Sequence, residues 1–481
     1  MPSPRKERAF TNENRPKTQH GCGVNRKMIL TKDKNFYKSL LALSIPIALQ
    51  NLVTFSVGLA DNIMIGSLGD AAISGVYMGN QIQTLLQIVS SGLEGSILIL
   101  AAQYWGRRDT RSISRIVSIG LRASLIFGLL LTIACTLFPS TIISLFATDP
   151  DIILYGSKYL GIVAFSYLFF CLTQSMIASM RSVESARIGL YVSLASLVID
   201  VALNYILIFG KFGAPALGVE GAAIATLIAR IAESVIITVY VLFIDKKLKF
   251  SLRELLHLDR ALLRDFVRYG APIVAGQLVW ATNMMSNSSI MGHQSVDGVV
   301  AGLSIANTMH NLAYVVMNGM SGAVGIITGK TIGAGKEGLM REYAKTVQVL
   351  FLGLGLLTGA SVFALRDSFI SMYGVSTAAA EQARALINVL SITTIGTCYQ
   401  AACLFGLVKS GGDISFVFKN DMIFVFGVVI PSALLASFLG APPWVVFACL
   451  KCDQILKCFV AVVKINRYDW MKNLTRESRE S

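Results

Sequence analysis

Charge is what this sequence has least of. Asp, Glu, Lys and Arg make up 15% of its 481 residues, where a soluble domain needs about 25% to wet its surface. Most of the surface therefore faces something other than water. Long apolar runs stand in place of the missing charge, at 121–137, 188–209, 350–365 and 423–439. Each approaches or exceeds the roughly 20 residues that cross a hydrocarbon core of about 30 Å. Lipid offers no partner to a free backbone N–H, so such runs must be helices.

Catalytic and nucleotide-binding signatures are missing as well. There is no HExxH and no GxSxG, and the four histidines are dispersed, so enzyme catalysis has little to stand on. Residues 333–338 satisfy GxGxxG, but they follow an apolar span and not a strand. Gly329-Lys330-Thr331 looks like the end of a phosphate-binding loop, yet the glycine required five residues earlier is Val324. The net charge of +14 would suit nucleic acid only if it formed one basic patch. The basic residues are instead distributed among short loops, so no nucleic-acid partner is expected. The eight cysteines suit a reducing compartment or lipid burial better than a disulfide framework. Cys449 and Cys452 form a lone CxxC inside a hydrophobic run and read as packing residues. No cofactor is expected.

Twelve helices are read along the chain, at about 40–64, 74–103, 116–137, 157–180, 188–210, 218–244, 270–291, 298–328, 346–365, 382–408, 420–439 and 443–464. Turn residues separate them, as in Thr148-Asp149-Pro150-Asp151 and Gly440-Ala441-Pro442-Pro443. The first 38 residues are polar and basic, and no small-residue cleavage site follows at signal-peptide distance, so the first helix reads as an uncleaved anchor.

Loop charge alternates along the chain. Loops on the side of the N-terminus carry Arg107, Arg108, Arg111, Arg115, Arg181, Arg187, a basic run from Lys246 to Arg268, and Lys330, Lys336, Arg341 and Lys345. Those on the other side hold only Lys211 and Arg366. This bias predicts a multi-pass plasma-membrane protein with both termini cytoplasmic. The expected organisation is a basic tail at 1–38, a first lobe at 39–244, a linker at 245–269, a second lobe at 270–465 and a tail at 466–481. The stretch 248–267, with leucines at helical spacing, reads as an amphipathic helix on the cytoplasmic leaflet or as a plain solvated connector.

The second half echoes the first at an offset of 226 to 228 residues: Pro46 matches Pro272, Gly66 matches Gly292, Asn80 matches Asn307, and Gly92, Gly95 and Gly106 match Gly319, Gly322 and Gly333. An even number of spans per repeat makes both halves enter the membrane in one sense. The predicted fold is therefore all-α and polytopic, twelve transmembrane helices in two six-helix lobes related by a pseudo-two-fold axis along the membrane normal, with a cleft between them.

An ionisable group at mid-bilayer costs at least about 2.5–3.5 kcal/mol, so each is a functional candidate. Asp61 lies in the outer part of helix 1, where it either serves the coupling step or caps the helix end. Asp200 lies near the middle of helix 5 with Asn204 four residues on, which puts both on one face. Glu94, between Gly92 and Gly95, either lines the cleft or faces water. Buried carboxylates of this kind can exchange a proton for a cation. The second lobe has few acids: Asn283 and Asn287 stand on helix 7, and Asn287 matches Asp61. Asp453 and Lys457, at i and i+4, read as a structural ion pair.

These residues resemble the multidrug and toxic compound extrusion (MATE) family over residues 40 to 470. The resemblance rests on 46–66 ending in Asp61-Asn62-Ile63-Met64-Ile65-Gly66, on Ala102-Gln103-Tyr104-Trp105-Gly106, and on the stretches 204–210 and 218–226. It implies an efflux antiporter that exports amphipathic, often cationic organic compounds against inward proton or sodium flow. Asp61 matches the family's helix 1 acid, and Asp200 with Asn204 its polar pair on helix 5, here in reverse order. The same three residues are where a sodium ion would bind. Gln174 and Thr226 are similar to cavity-lining positions on helices 4 and 6. Trp280 replaces the helix 7 glutamate of some sodium-coupled members, which moves coupling to the first lobe. The expected partners are small organic cations and the lipid bilayer, and the protein is expected to act as a monomer. A lipid-linked precursor flippase and a non-transporting receptor are the competing readings.

Overall fold

The computed structural model describes residues 30–248, 250, 259–294 and 296–476. Among them the chain is helical throughout, with no strand. Twelve columns can be traced: α1 (Lys34–Gly66), α2 (Asp70–Gly106), α3 (Thr110–Leu137), α4 (Pro150–Val163 and Ser166–Ser182), α5 (Arg187–Phe209) and α6 (Gly218–Ile244) in the first lobe, and α7 (Arg260–Gly292), α8 (Val299–Gly333), α9 (Glu337–Ser371), α10 (Thr377–Lys409), α11 (Ile414–Phe438) and α12 (Pro443–Lys451 and Asp453–Arg467) in the second.

Short acidic and hydroxyl side chains start many of these helices. Asp33, Asp109, Asp149, Asp259 and Ser376 each accept a first-turn N–H of the helix they precede, which satisfies donors that no helix can pair internally. The masses of apolar side chain left exposed, such as Leu130, Leu357 and Phe438, are far larger than a water-soluble surface carries, and in a membrane they face lipid.

Among the described residues nine helices are long and apolar enough to cross a membrane, and the two segments of α4, bent by 51°, make a tenth. The other two columns, α7 and α12, are diluted by polar groups: Asn283, Ser286, Asn287, Ser288 and Ser289 on α7, and Lys451, Asp453 and Lys457 on α12. They complete the twelve through the repeat. Two columns read from sequence as unbroken are interrupted, α4 after Val163 and α12 at Cys452. At the first break the Thr132 hydroxyl of α3 donates to the Ala164 carbonyl at 2.9 Å, a tertiary contact that this carbonyl takes beside the Tyr167 N–H at 3.1 Å. Helix α7 begins at Arg260, ten residues ahead of the span read from sequence, so 260–269 are helical; residues 249 and 251–258 of the proposed surface helix lie outside the described residues.

The lobes meet through α1 on α8, α2 on α7 and α2 on α8, a reciprocal pattern that follows from a two-fold relation between repeats. Gly92 of α2 sits on Val274 of α7, and a Cβ there would stand 2.7 Å from the Val274 Cα. The repeat-related Gly319 of α8 sits on Ala48 of α1, and a Cβ would stand 2.8 Å from the Ala48 nitrogen. Nearer the chain termini, Gly106 and Gly333 bring α2 and α8 into backbone contact. These close approaches all fall in the halves of the helices toward the face carrying the termini, here the terminal face. That face is also laced by polar contacts between lobes: Thr31 N–H to Thr346 Oγ1 at 2.8 Å, Tyr343 OH to Asp33, and Lys330 to Glu184 at 2.8 Å.

Candidate functional site

Helices α1 and α5 pack side by side, and this brings together acids that are far apart in sequence. The i, i+4 spacing of Asp200 and Asn204 stacks them on the face of α5 turned toward α1. Asn204 Nδ2 donates to Asp61 Oδ1 at 2.7 Å and to Asp200 Oδ2 at 3.1 Å. Two carboxylate oxygens bound to one nitrogen lie within about 6 Å of each other. Asp200 and Asn204 are buried and Asp61 half-buried. The Asn204 carbonyl oxygen is buried without a hydrogen-bond partner.

Asp61 and Asp200 open on a cavity of about 190 Å³ inside the first lobe, walled by side chains of α1, α2, α4, α5 and α6. Across it stand Tyr159, Thr226, Arg230 and Glu233. Tyr159 OH donates to Asn80 Oδ1 at 3.2 Å. Arg230 pairs with Glu233 at 2.8 Å and lies over the Phe170 ring, 5.2 Å from its centroid. Glu233 thus takes up the one cation in the cavity wall, and Asp61 and Asp200 have no ion-pair partner among the described residues. Two like charges this close in a poorly solvated site repel each other unless a proton or a cation neutralises one. Two acids so placed can share one proton or one small cation between them.

Of the residues singled out from sequence, Asp61, Asp200, Asn204 and Thr226 come together here. Glu94 does not: it is half-buried on α2, two turns past Gln87, the last cavity-lining residue of that helix, and its charged neighbour is Arg181. Gln174, half-buried on α4, is outside the cavity wall. Asn283 and Asn287 lie on α7 in the other lobe, each with a buried Oδ1 that has no hydrogen-bond partner. Sequence reasoning passed over Arg230 and Glu233. The same rule that flagged Asp200 would have found them, since both interrupt the apolar run of α6. It also passed over Asp421, which binds Lys457 at 2.8 Å beside Asp453 at 3.0 Å. No cluster of three or more His, Cys, Asp or Glu suited to a metal ion exists among the described residues.

A family model described as MatE matches the chain twice, over residues 46–206 and 272–435. The two matches begin at Pro46 and Pro272, the prolines paired by the repeat. Among curated relatives, the chain is 24% identical over 412 residues to the uncharacterized transporter YisQ of Bacillus subtilis (strain 168), covering 84% of this chain and 88% of that one. It is 27% identical over 349 residues to a probable multidrug resistance protein NorM of Rhizobium meliloti (strain 1021), covering 71% of this chain and 74% of the relative. Among solved structures, a MATE protein crystallised in complex with MaL6 superposes with a TM-score of 0.81 at 18% identity, over 90% of this chain and 97% of the other.

Proposed function

This chain belongs to the MatE family of multidrug efflux transporters, and from that premise we propose that it is an antiporter exporting amphipathic organic cations in exchange for an inward-moving proton or sodium ion. The reading rests on one observation: Asp61 and Asp200 share the Asn204 amide in an acidic pocket of the first lobe. The family is one of transporters and not of enzymes, and the protein is a multi-pass membrane protein.

In this reading Asp61 and Asp200 are the coupling carboxylates and Asn204 their common donor. When the pair is charged it attracts either the organic cation or the coupling ion, and the two compete for it. Occupancy by one then requires departure of the other, which is the requirement of exchange by alternating access. The amide presents its NH2 to both acids, an orientation suited to proton exchange. Sodium would need an oxygen-only shell, which the same residues supply once the amide turns its unpartnered Oδ1 inward. The Lys and Arg bias of the loops supports a cytoplasmic terminal face in the cell membrane.

The test is efflux of a fluorescent organic cation from proteoliposomes under an imposed proton or sodium gradient, with Asp61→Asn in parallel. Flux driven by one gradient and lost in the variant supports the reading and identifies the ion. No flux under either gradient overturns it and brings the lipid-precursor flippase forward.

A further inference from the structure

A second cavity, of about 470 Å³, opens at the terminal face where α1, the turn between α4 and α5, the end of α6 and the end of α8 meet. Among the described residues its wall carries Lys38, Arg187, Lys247 and Lys330, against the single acid Glu184. Four cations from four separate elements converge on one hollow, and one carboxylate cannot balance them. Glu184 is already engaged, accepting Lys330 Nζ at 2.8 Å and Trp105 Nε1 at 3.2 Å. Lys247 Nζ donates to the Val183 and Glu184 carbonyls at 3.1 and 3.0 Å. Lys38 and Arg187 are exposed and have no acidic partner among the described residues.

Two further features point to the chemistry of a ligand. Residues 185–188 bring the N-terminus of α5 to the cavity wall, and no side chain caps this 23-residue helix. Its first-turn N–H groups and the positive end of its dipole add to the lysine and arginine charge. Beside the cavity, within about a turn of Lys38 and Lys247, the apolar side chains of Leu41, Phe243 and Ile244 are exposed. In a membrane these meet acyl chains. A cationic hollow at headgroup depth, rimmed by acyl-facing side chains, favours a lipid over a free phosphate.

We propose that this cavity binds the phosphate of an anionic phospholipid from the leaflet at the terminal face, with Lys38, Arg187 and the first turn of α5 as its ligands. Lys330 belongs to the second lobe and Glu184 to the first. The phosphate therefore sits on a tie that closes the terminal face and competes with Glu184 for Lys330, so that headgroup occupancy bears on how readily the lobes part there. The inference stands independently of the coupling chemistry.

The experiment is thermal unfolding of the full-length protein in detergent micelles, titrated with dihexanoyl phosphatidylglycerol, dihexanoyl phosphatidylcholine or inorganic phosphate. Phosphatidylglycerol should raise Tm saturably, and the other two should not. Lys38→Gln and Arg187→Gln should each weaken the apparent Kd about fivefold, and the pair about thirtyfold. Lys38→Arg should retain binding, and Lys336→Gln, outside the cavity, should leave it unchanged. Both residues are exposed, so Tm without lipid should match the parent; if the double variant does not fold, the single variants and Lys38→Arg decide. Phosphatidylcholine as effective as phosphatidylglycerol would overturn charge recognition. Inorganic phosphate as effective would replace the lipid by a free anion and overturn the assignment. An unchanged Kd in the glutamine variants would overturn the site.

Discussion

Gly106 of α2 and Gly333 of α8 face each other where the lobes meet. A Cβ on Gly106 would stand 2.1 Å from the Lys330 carbonyl oxygen, and one on Gly333 would stand 1.8 Å from that of Gln103. The obstacles are backbone atoms, so no side-chain rotation relieves them and the helices themselves must separate. The two glycines are partners in the sequence repeat, which makes this contact the point where the pseudo-two-fold relation brings each lobe against its own counterpart.

Gly333→Ala should therefore destabilise the closed terminal face by about 1–3 kcal/mol, the usual range for overpacking. A lower Tm in detergent is the expected reading. Gly338→Ala is the control, since a Cβ there meets nothing within 4 Å and the helix gains a better former. Equal melting temperatures for the two variants would show that the lobes do not depend on this approach.

Asn204→Leu should alter coupling without abolishing the acids. Among the described residues the amide is the only donor that Asp61 and Asp200 share, and a hydrogen bond to a charged group contributes about 1.5–3 kcal/mol. Without it the two charges are less well compensated and hold a proton more tightly. Under a proton gradient, half-maximal flux should then need an about tenfold lower proton concentration, with slower release and a lower maximal rate; under a sodium gradient the lost Oδ1 ligand should weaken ion binding instead. A half-saturation equal to that of the parent would exclude Asn204 from the coupling unit.

Much of the fold was legible because hydropathy and glycine pairing are properties of spans and not of contacts. The repeat even recovered α7 and α12, whose Asn, Ser, Lys and Asp residues dilute their apolarity. The breaks in α4 and α12 were not legible, since neither Val163-Ala164-Phe165 nor Cys452 carries a proline or glycine, and the first depends on Thr132 from another helix. The return of the chain after α12 was equally hidden: the Leu474 N–H donates to Gln103 Oε1 at 2.7 Å, across 371 residues, from a segment with no periodicity to read. In the pocket, Asp200 and Asn204 announced themselves by spacing. Their contact with Asp61 depends on how α1 and α5 pack, and the placement of Tyr159 on the whole lobe.

Acid should loosen one tie of the terminal face. Asp33 caps α1 and accepts a hydrogen bond from Tyr343 of the second lobe. That bond, with help from the Asn35 N–H, holds the Asp33 carboxyl below its ordinary value. A carboxyl with a lowered folded value stabilises the fold above its unfolded pKa of about 3.9, and the contribution is lost as pH falls through the folded value. Tm should therefore be insensitive to this group between about pH 5 and 7 and decline below about pH 4. Asp33→Asn should lower Tm at neutral pH and flatten that acid limb. An acid limb identical in variant and parent would show that the tie carries no stability.

Arg230 and Glu233 make the sharpest case for separating structure from coupling. They pair at 2.8 Å with side chains 15% and 7% exposed, so removing either partner strands a charge that lipid and protein cannot solvate. Arg230→Gln should destabilise by about 3–5 kcal/mol, while Arg230→Gln with Glu233→Gln should recover most of the loss, since a neutral pair has no uncompensated charge. Transport should not recover in step. Arg230 also faces the cavity shared with Asp61 and Asp200, and the double variant removes a cation whose field limits how strongly those acids hold their own. A double-mutant cycle on Tm, run beside gradient-driven flux, distinguishes the roles. Restored Tm with impaired flux assigns the pair to tuning the acids, and full restoration of both assigns it to holding α6 in place.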